Sequence, residues 1–366
     1  LEGEMAMSSS GWKDLRIGDL VARVPIVQGG MGVGISLSGL AAATANAGGI
    51  GVIAAAGIGL MEPDGFQDFL GANIRALRRE IRRARQLSKG ILGVNIMVAL
   101  TNFADMVRAA IDEGIDVVFC GAGLPVNLPE FLKEGVRTKL VPIVSSGRAA
   151  ALIAKRWLDK YSYRPDAFVV EGPRAGGHLG FKREQLEDPR FALEVLVPEV
   201  IAALAPFADG DTTIPVIAGG GVYTGADIRE MLELGAAGVQ MATRFVATDE
   251  CDASLAFKES YVAAAEDDLE IIASPVGMPG RALHNRFLAD VADGKKTPYA
   301  CPYHCIITCD PQKAPYCISL ALLNAQRGKL DKGFAFAGAN APRVEKIIPV
   351  QELVATLEAE YRASDA

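Results

Sequence analysis

The chain predicts an α/β protein, a (β/α)8 (TIM) barrel with a C-terminal Cys-containing, partly helical extension. Three observations carry that prediction. Short β-branched runs alternate with helix-like stretches as far as Thr243. The runs are continuously apolar, as expected of parallel strands covered on both faces. The 39 Gly and 19 Pro of the 366 residues show no collagen period and suit many tight strand-to-helix loops. An open doubly wound sheet is the competing architecture. Its dinucleotide turn would read G-x-G-x-x-G, but the glycines of Gly30-Met-Gly-Val-Gly34 are followed by Leu37 where the last glycine should fall.

The expected strands, each a short run rich in Val and Ile, are Pro25–Gln28, Ile50–Ile53, Leu92–Ile96, Asp116–Phe119, Leu140–Val144, Ala167–Val170, Ile214–Ala218 and Gly238–Met241. Helical periodicity places helices at Ser38–Ala47, Phe66–Leu87, Phe103–Glu113, Leu128–Lys133, Gly147–Leu158, Arg190–Leu204 and Gly225–Leu234, with an eighth beginning near Cys251. Residues 11–271 form the expected barrel. Residues 272–366 form an extension packed on it, in which Ile318–Gln326 and Val350–Tyr361 read as helices.

Composition excludes some functions. The net charge of -7 leaves no electrostatic footprint for nucleic acid, and the basic stretch Arg75–Lys89 reads as the solvated face of an amphipathic helix. No uninterrupted apolar run reaches the ~18 to 20 residues of a membrane span. Leu1–Ser10 has neither a basic n-region nor a continuous apolar h-region, so the expectation is a cytoplasmic chain with reduced cysteines.

The richest segment is Glu171-Gly-Pro-Arg-Ala-Gly-Gly-His-Leu-Gly180, which follows a strand and holds His178, one of only three histidines. An imidazole among glycines puts an acid–base group, near neutrality in water, where bare backbone approaches a flat ligand. Strand seven ends in Gly219, Gly220 and Gly221, and strand eight in Gln240-Met-Ala-Thr-Arg244. Phosphates bind in (β/α)8 barrels after these strands, where backbone N–H groups and a helix N-terminus converge. At strand one, Gly29, Gly30 and Met31 offer bare backbone and a thioether to a flat ring. Asn95 offers an amide at strand three, Ser145 a hydroxyl at strand five, and Cys120 a thiol at strand four.

Pro25-Ile-Val-Gln-Gly-Gly-Met31, Gly93-Val-Asn-Ile-Met97, Gly176-Gly-His178, Ile214-Pro-Val-Ile-Ala-Gly-Gly-Gly221 and Gly238-Val-Gln-Met-Ala-Thr-Arg-Phe245 resemble the nitronate monooxygenase (2-nitropropane dioxygenase-like) family over about residues 20–290. That family also includes FMN-dependent enoyl-acyl carrier protein reductases and some quinone reductases. The resemblance implies an FMN-dependent oxidoreductase that oxidises alkyl nitronates with dioxygen. Its alternative is an NAD(P)H-dependent enoyl-thioester or quinone reductase. It further implies that Met31 and Asn95 flank the flavin ring, that Gly176, Gly177 and Gly180 border the histidine loop, and that Gly219, Gly220, Gly221, Gln240, Met241, Ala242 and Thr243 surround the phosphate. His178 would be the catalytic residue facing the substrate. Glu171 stands where many of the monooxygenases carry glutamine and is more similar to the reductases; it adds negative charge near the ring unless paired with Arg174 or Lys182. A small-molecule substrate is expected, with NAD(P)H a candidate donor and a homodimer a candidate assembly.

Cys301-x3-Cys305-x3-Cys309-x7-Cys317 departs from this resemblance. The spacing is neither the C-x2-C pair typical of zinc nor a standard ferredoxin run. Pro302, Pro311 and Pro315 break any long helix there. Three readings stay open: a metal centre (iron–sulfur cluster or zinc), redox or disulfide chemistry, and inert buried thiols. Gly277-Met-Pro-Gly-Arg281, His284 and Asn285 are candidate caps over the site.

Overall fold

The computed structural model describes residues 11–295, 301 and 303–364; Leu1–Ser10, Tyr299 and Pro302 lie outside them. Eight parallel strands, β1 (Ile26–Gln28), β2 (Ile50–Ala54), β3 (Ile91–Met97), β4 (Val117–Gly121), β5 (Lys139–Val144), β6 (Phe168–Glu171), β7 (Val216–Gly219) and β8 (Gly238–Met241), close a barrel. Closure runs through β8 onto β1, with Val239 beside Ile26 and Met241 beside Gln28. The β1–β2 seam is narrow, a single register pair, Val27 with Ile50. The buried Gln28 side chain reinforces it, accepting the Val52 N–H at 2.9 Å and donating to its neighbour's carbonyl Gly29 O at 2.5 Å.

Strand alternation sorts the core into two layers. Val27, Val52, Val117, Phe119, Val141, Val169 and Ile217 fill the barrel. Ile26, Ile53, Val94, Val118, Cys120 and Val170 face the helices. A hairpin missed by sequence reasoning, Leu15–Ile17 paired with Leu20–Ala22, joins the inner layer through Leu15, Ile17 and Ala22 and plugs the end where the strands begin. It lies under the start of β8, since a Cβ on Gly238 would meet Leu15 Cδ2 at 3.1 Å.

Six helices follow the expected order: α1 (Ser38–Asn46), α2 (Phe69–Leu87), α3 (Phe103–Asp112), α4 (Gly147–Tyr161), α5 (Leu193–Leu204) and α6 (Gly225–Glu233). Two expectations need correction. Leu128–Lys133 is only a 3-10 turn, Leu128–Phe131, because Pro129 begins it and too few residues remain before β5 for an α-helix. The short α7 (Thr243–Val246) and α8 (Leu255–Val262) follow β8, yet α8 does not complete the outer ring. That place is taken by α11 (Val350–Ala363), which packs against both α6 and α1. The extension therefore supplies an outer helix of the barrel. It also contains β9 (Leu269–Ala273) and β10 (Pro279–Leu283), paired antiparallel, then α9 (Arg286–Ala292) and α10 (Ile318–Gln326).

The α6–α11 contact is close. Gly225 N–H donates to Glu360 Oε2 at 2.7 Å, and a Cβ on Gly225 would press on the backbone of Leu357 and Tyr361, meeting Glu360 C at 2.7 Å. Gly225→Ala is expected to destabilise the protein by roughly 1–3 kcal/mol, as overpacking does, read as a lower denaturant midpoint. An unchanged midpoint would show that α11 is not seated there.

Candidate functional site

The C-terminal ends of the strands surround a cavity of about 300 Å³. From β1 come Gly29, Gly30 and Met31, from β3 Asn95, and from the end of β6 Glu171. The loop after β6 contributes Gly176, Gly177 and His178. Gly220 and Gly221 follow β7, and Gln240, Met241, Ala242 and Thr243 come from β8 and the turn after it. Three expected residues stand back from the cavity wall. Gly219 lies inside the β7 ladder against β6 and β8. Gly180 has turned toward Ser145, so close that a Cβ on it would overlap the Ser145 hydroxyl. These two form a contact behind the histidine loop rather than part of the wall.

Cys120 is an ordinary core residue, one of the two readings its sequence position allows. It is wholly buried on the helix side of β4, one residue out of phase with the inward-facing Phe119, and burial pushes its thiol far above the ordinary range.

Glycine is required at the β7 turn. Gly220 and Gly221 have φ of 86° and 130°, and a Cβ on Gly220 would meet Gly172 O at 2.7 Å. Such a turn swings backbone N–H groups off the ladder. Asn340 Nδ2 fixes it by donating to Gly221 O at 2.6 Å. The chain entering α6 is tied to carboxylates and a hydroxyl: Tyr223 and Thr224 N–H bond Asp227 Oδ2 at 2.8 Å, Gly225 N–H bonds Glu360, and Asp227 N–H bonds Thr224 Oγ1. A larger cleft of about 600 Å³ lies beyond the same turn, where carboxylates outnumber guanidinium groups seven to three. Its charge suits an anionic ligand poorly.

The side-chain amides of Asn95 and Gln240 line the cavity and make no hydrogen bond with other described residues, so their donors and acceptors remain available to a ligand. A Cβ on Gly30 would overlap Asn95, so the bare backbone of β1 is what lets Asn95 sit at the wall.

His178 forms a two-residue strand with Gly177 that pairs with β10, Gly280 beside His178. Its ring packs edge-on against Phe336, centroids 4.9 Å apart, and its Nε2 lies 2.7 Å from Ser274 Oγ. Burial drives its pKa down from 6.5 to about 4, so near neutral pH the ring is an uncharged donor–acceptor, not the half-protonated group expected of an exposed histidine. Ser274 Oγ accepts from Val276 N–H at 3.4 Å and shares a second hydrogen bond with His178 Nε2. Glu171 makes no ion pair with Arg174 or Lys182 among the described residues, and burial lifts its pKa from 4.5 to about 7. The extra negative charge expected there is thus reduced near neutrality, where the carboxyl is part protonated.

Sequence reasoning missed Ser274, Phe336 and Asn340. All three come from the extension, 96 residues or more along the chain from the partners described, and no local pattern marks them. The cap segment Gly277–Arg281 does reach the site, because its second half is β10; Arg281 Nη1 holds the β6 loop by donating to Pro173 O at 2.7 Å and Ala175 O at 2.8 Å. Asn285 instead caps α9, and His284 lies 3.3 Å from Glu270 Oε1. The four extension cysteines are reduced, and among the described residues no three His, Cys, Asp or Glu side chains are grouped as a ready site for one metal ion. No helix among the described residues is long and apolar enough to cross a membrane.

Comparison with known proteins agrees with this architecture. The sequence profile of the family described as nitronate monooxygenase matches residues 15–360. A nitronate monooxygenase of Pseudomonas aeruginosa is 30% identical over 372 residues, covering 92% of this chain and 96% of that protein. A (3aS,4S,5R,7aS)-5-hydroxy-7a-methyl-1-oxo-octahydro-1H-indene-4-carboxyl-CoA dehydrogenase of Mycobacterium tuberculosis is 30% identical over 272 residues, covering 74% of this chain. The match spans 66% of that relative and 62% of its Rhodococcus jostii counterpart, under two thirds of either. The structure of FabK from Thermotoga maritima superposes with a TM-score of 0.71 at 29% identity, covering 93% of this chain and 94% of that one. The fold is shared too with nitroalkane oxidase from Streptomyces ansochromogenes, TM-score 0.71, 24% identity, 93% and 96% covered. A profile match along nearly the whole described barrel and extension settles the lineage: this chain belongs to the nitronate monooxygenase family of oxidoreductases.

Proposed function

We propose that the cavity binds FMN and that the protein oxidises alkyl nitronates with dioxygen. One observation carries the reading: the neutral His178, its Nε2 held by Ser274, stands in the same cavity as the Gly220–Gly221 turn. The residues fit the cofactor. The turn and the backbone of Met241–Thr243 would hold the phosphate, Met31 and the bare Gly29–Gly30 backbone would lie along the ring, and the amides of Asn95 and Gln240 would bond its polar edge. Bound FMN supplies the acceptor of the substrate's electrons.

The protein's part is to place the substrate and manage its charge. The neutral His178 ring is a hydrogen-bond donor for an anionic oxygen of a nitronate, and its Nε2 contact with Ser274 Oγ fixes the ring's orientation. Phe336 packs on the ring, restricting its rotation and excluding water, which strengthens the hydrogen bond. Glu171, protonated below about pH 7, offers a hydrogen bond rather than a charge to the ligand.

A second reading, NAD(P)H-dependent reduction of an enoyl thioester or a quinone, draws support from Glu171 and from the indene-4-carboxyl-CoA dehydrogenase among the relatives. Anaerobic mixing separates the two. A nitronate is expected to bleach the flavin absorbance, and NADH or NADPH is not; the opposite result selects the reductase, and a colourless preparation that cannot be reconstituted with FMN refutes both.

His178→Ala is expected to retain FMN and to lose turnover by roughly 100-fold or more, the scale of a positioned proton-handling group. Wild-type turnover in that variant would remove His178 from the chemistry. In NMR of the cofactor-free protein, His178 should stay neutral until the pH falls toward about 4; a midpoint near 6.5 would show that its burial is overstated.

Glu171 has the opposite signature. Its folded pKa is raised, so between pH 4.5 and about 7 the native state holds more protons than the unfolded chain, and stability falls as pH rises through that window. Glu171→Gln should abolish this part of the decline in cofactor-free protein, measured by denaturant midpoints across the window. An identical pH profile in the variant would place the Glu171 carboxyl in water.

A further inference from the structure

Among the described residues that line the cavity, Arg174 alone carries a permanent positive charge, and the nitronate chemistry gives it no task. It belongs to the loop after β6. With Gly220, Gly221, Val222 and Ala339 it forms the wall that the cavity shares with the acidic cleft.

The backbone of Arg174 is pinned. Its carbonyl accepts from Ala339 N–H at 3.0 Å, and Arg281 Nη1 bonds the carbonyls on either side, Pro173 O and Ala175 O. Its aliphatic stem crosses the turn after β7, since a Cβ on Gly221 would meet Arg174 Cβ at 3.4 Å and Cδ at 3.6 Å. The residue is otherwise exposed, and its guanidinium makes no hydrogen bond or ion pair with other described residues. Seven carboxylates line the adjoining cleft, yet none of them holds it.

Neighbouring cations are already engaged. Arg244 Nη1 donates to Tyr223 O at 3.1 Å and lies 3.5 Å from Glu360 Oε2. Arg343 Nη1 donates to Asn340 Oδ1 at 3.3 Å, and its guanidinium lies over the Tyr223 ring.

A phosphate monoester carries a charge of about −1.5 to −2 at neutral pH. The Gly220–Gly221 turn offers it backbone dipoles, which are only partial charges. Opposing it are the carboxylates of the cleft and a net charge of -7 on the chain. A dianion at that turn therefore gains from a full positive charge beside it. A guanidinium without a partner, presenting a planar fork of donors, matches phosphate oxygens in both charge and shape.

We propose that Arg174 is the counter-charge for the phosphate of FMN and makes the cavity select FMN over riboflavin. The assignment rests on FMN occupying the cavity and adds the residue that recognises its phosphate as an anion.

The test is titration of the full-length, flavin-free protein with FMN and with riboflavin, followed by quenching of flavin fluorescence. Arg174→Gln, which keeps a stem over Gly221, is expected to weaken FMN roughly 10- to 100-fold and leave riboflavin unchanged. Arg174→Lys should recover part of that loss. Added salt should weaken FMN binding more steeply in the wild type than in Arg174→Gln. Equal FMN affinity in wild type and Arg174→Gln would overturn the proposal. So would an equal loss of FMN and riboflavin, the mark of a packing role. The wild type also decides without any variant: FMN must bind more tightly than riboflavin at low salt, and no such advantage sinks the idea. A wild-type chain that binds neither flavin refutes FMN as the cofactor, and the role of Arg174 falls with it, so the two failures are told apart.

Discussion

Barrel closure through the β8–β1 ladder is the constraint on which the rest depends. Met241 beside Gln28 brings the turn after strand eight against Gly29 and Gly30, and Gly29 N–H donates to Met241 O at 2.8 Å. Only in a closed ring do the ends of the first and last strands, more than two hundred residues apart, share one wall. The inner layer sets that ring's diameter. Phe119, Val141, Val169 and Ile217 fill its centre, while the N-terminal hairpin blocks the far end, leaving one open mouth. The narrow β1–β2 seam would be the weak point, and the buried Gln28 amide supplies there one hydrogen bond, to Val52 N–H, that a longer ladder would have made.

The extension works as part of the barrel. It places α11 between α6 and α1, and it brings Ser274, Phe336 and Asn340 to the cavity. Each of these acts on a barrel residue: Ser274 orients the His178 ring, Phe336 packs against it, and Asn340 pins the Gly220–Gly221 turn. The barrel rim thus provides the groups that meet a ligand, and the extension restricts their motion. Desolvation from this covering is also what moves His178 and Glu171 in opposite directions, one toward a neutral base and the other toward a neutral acid. A neutral imidazole and a part-protonated carboxyl at one mouth carry less charge than the exposed values of the same residues would give.

Much of the fold was legible locally because parallel strands buried on both faces have an unbroken apolar signature. Gly238–Met241 matches its observed bounds, and other strands shift by only a residue or two, as at Leu92–Ile96 against Ile91–Met97. Glycine carried the site equally well: bare backbone at Gly29, Gly30, Gly176, Gly220 and Gly221 has few uses other than a tight turn or a close approach. Where sequence reasoning failed, the cause was a long-range contact or a half-turn of phase. Cys120 and Phe119 are adjacent, and only the barrel's inner layer decides that Phe119 enters it. The Leu128 segment has helical spacing but too little length before β5.

By itself the sequence determined the eight strand–helix units, the glycine turns at their ends and the identity of the histidine, since each is encoded within a few neighbouring residues. The tertiary structure alone decided which helix closes the outer ring, which residues hold that histidine, and its protonation. Those depend on desolvation and on partners separated by long stretches of chain: Ser274 lies 96 residues from His178, and Asn340 lies 119 from Gly221. No local pattern encodes a contact of that kind, because it exists only once the barrel has closed and the extension has folded across its mouth.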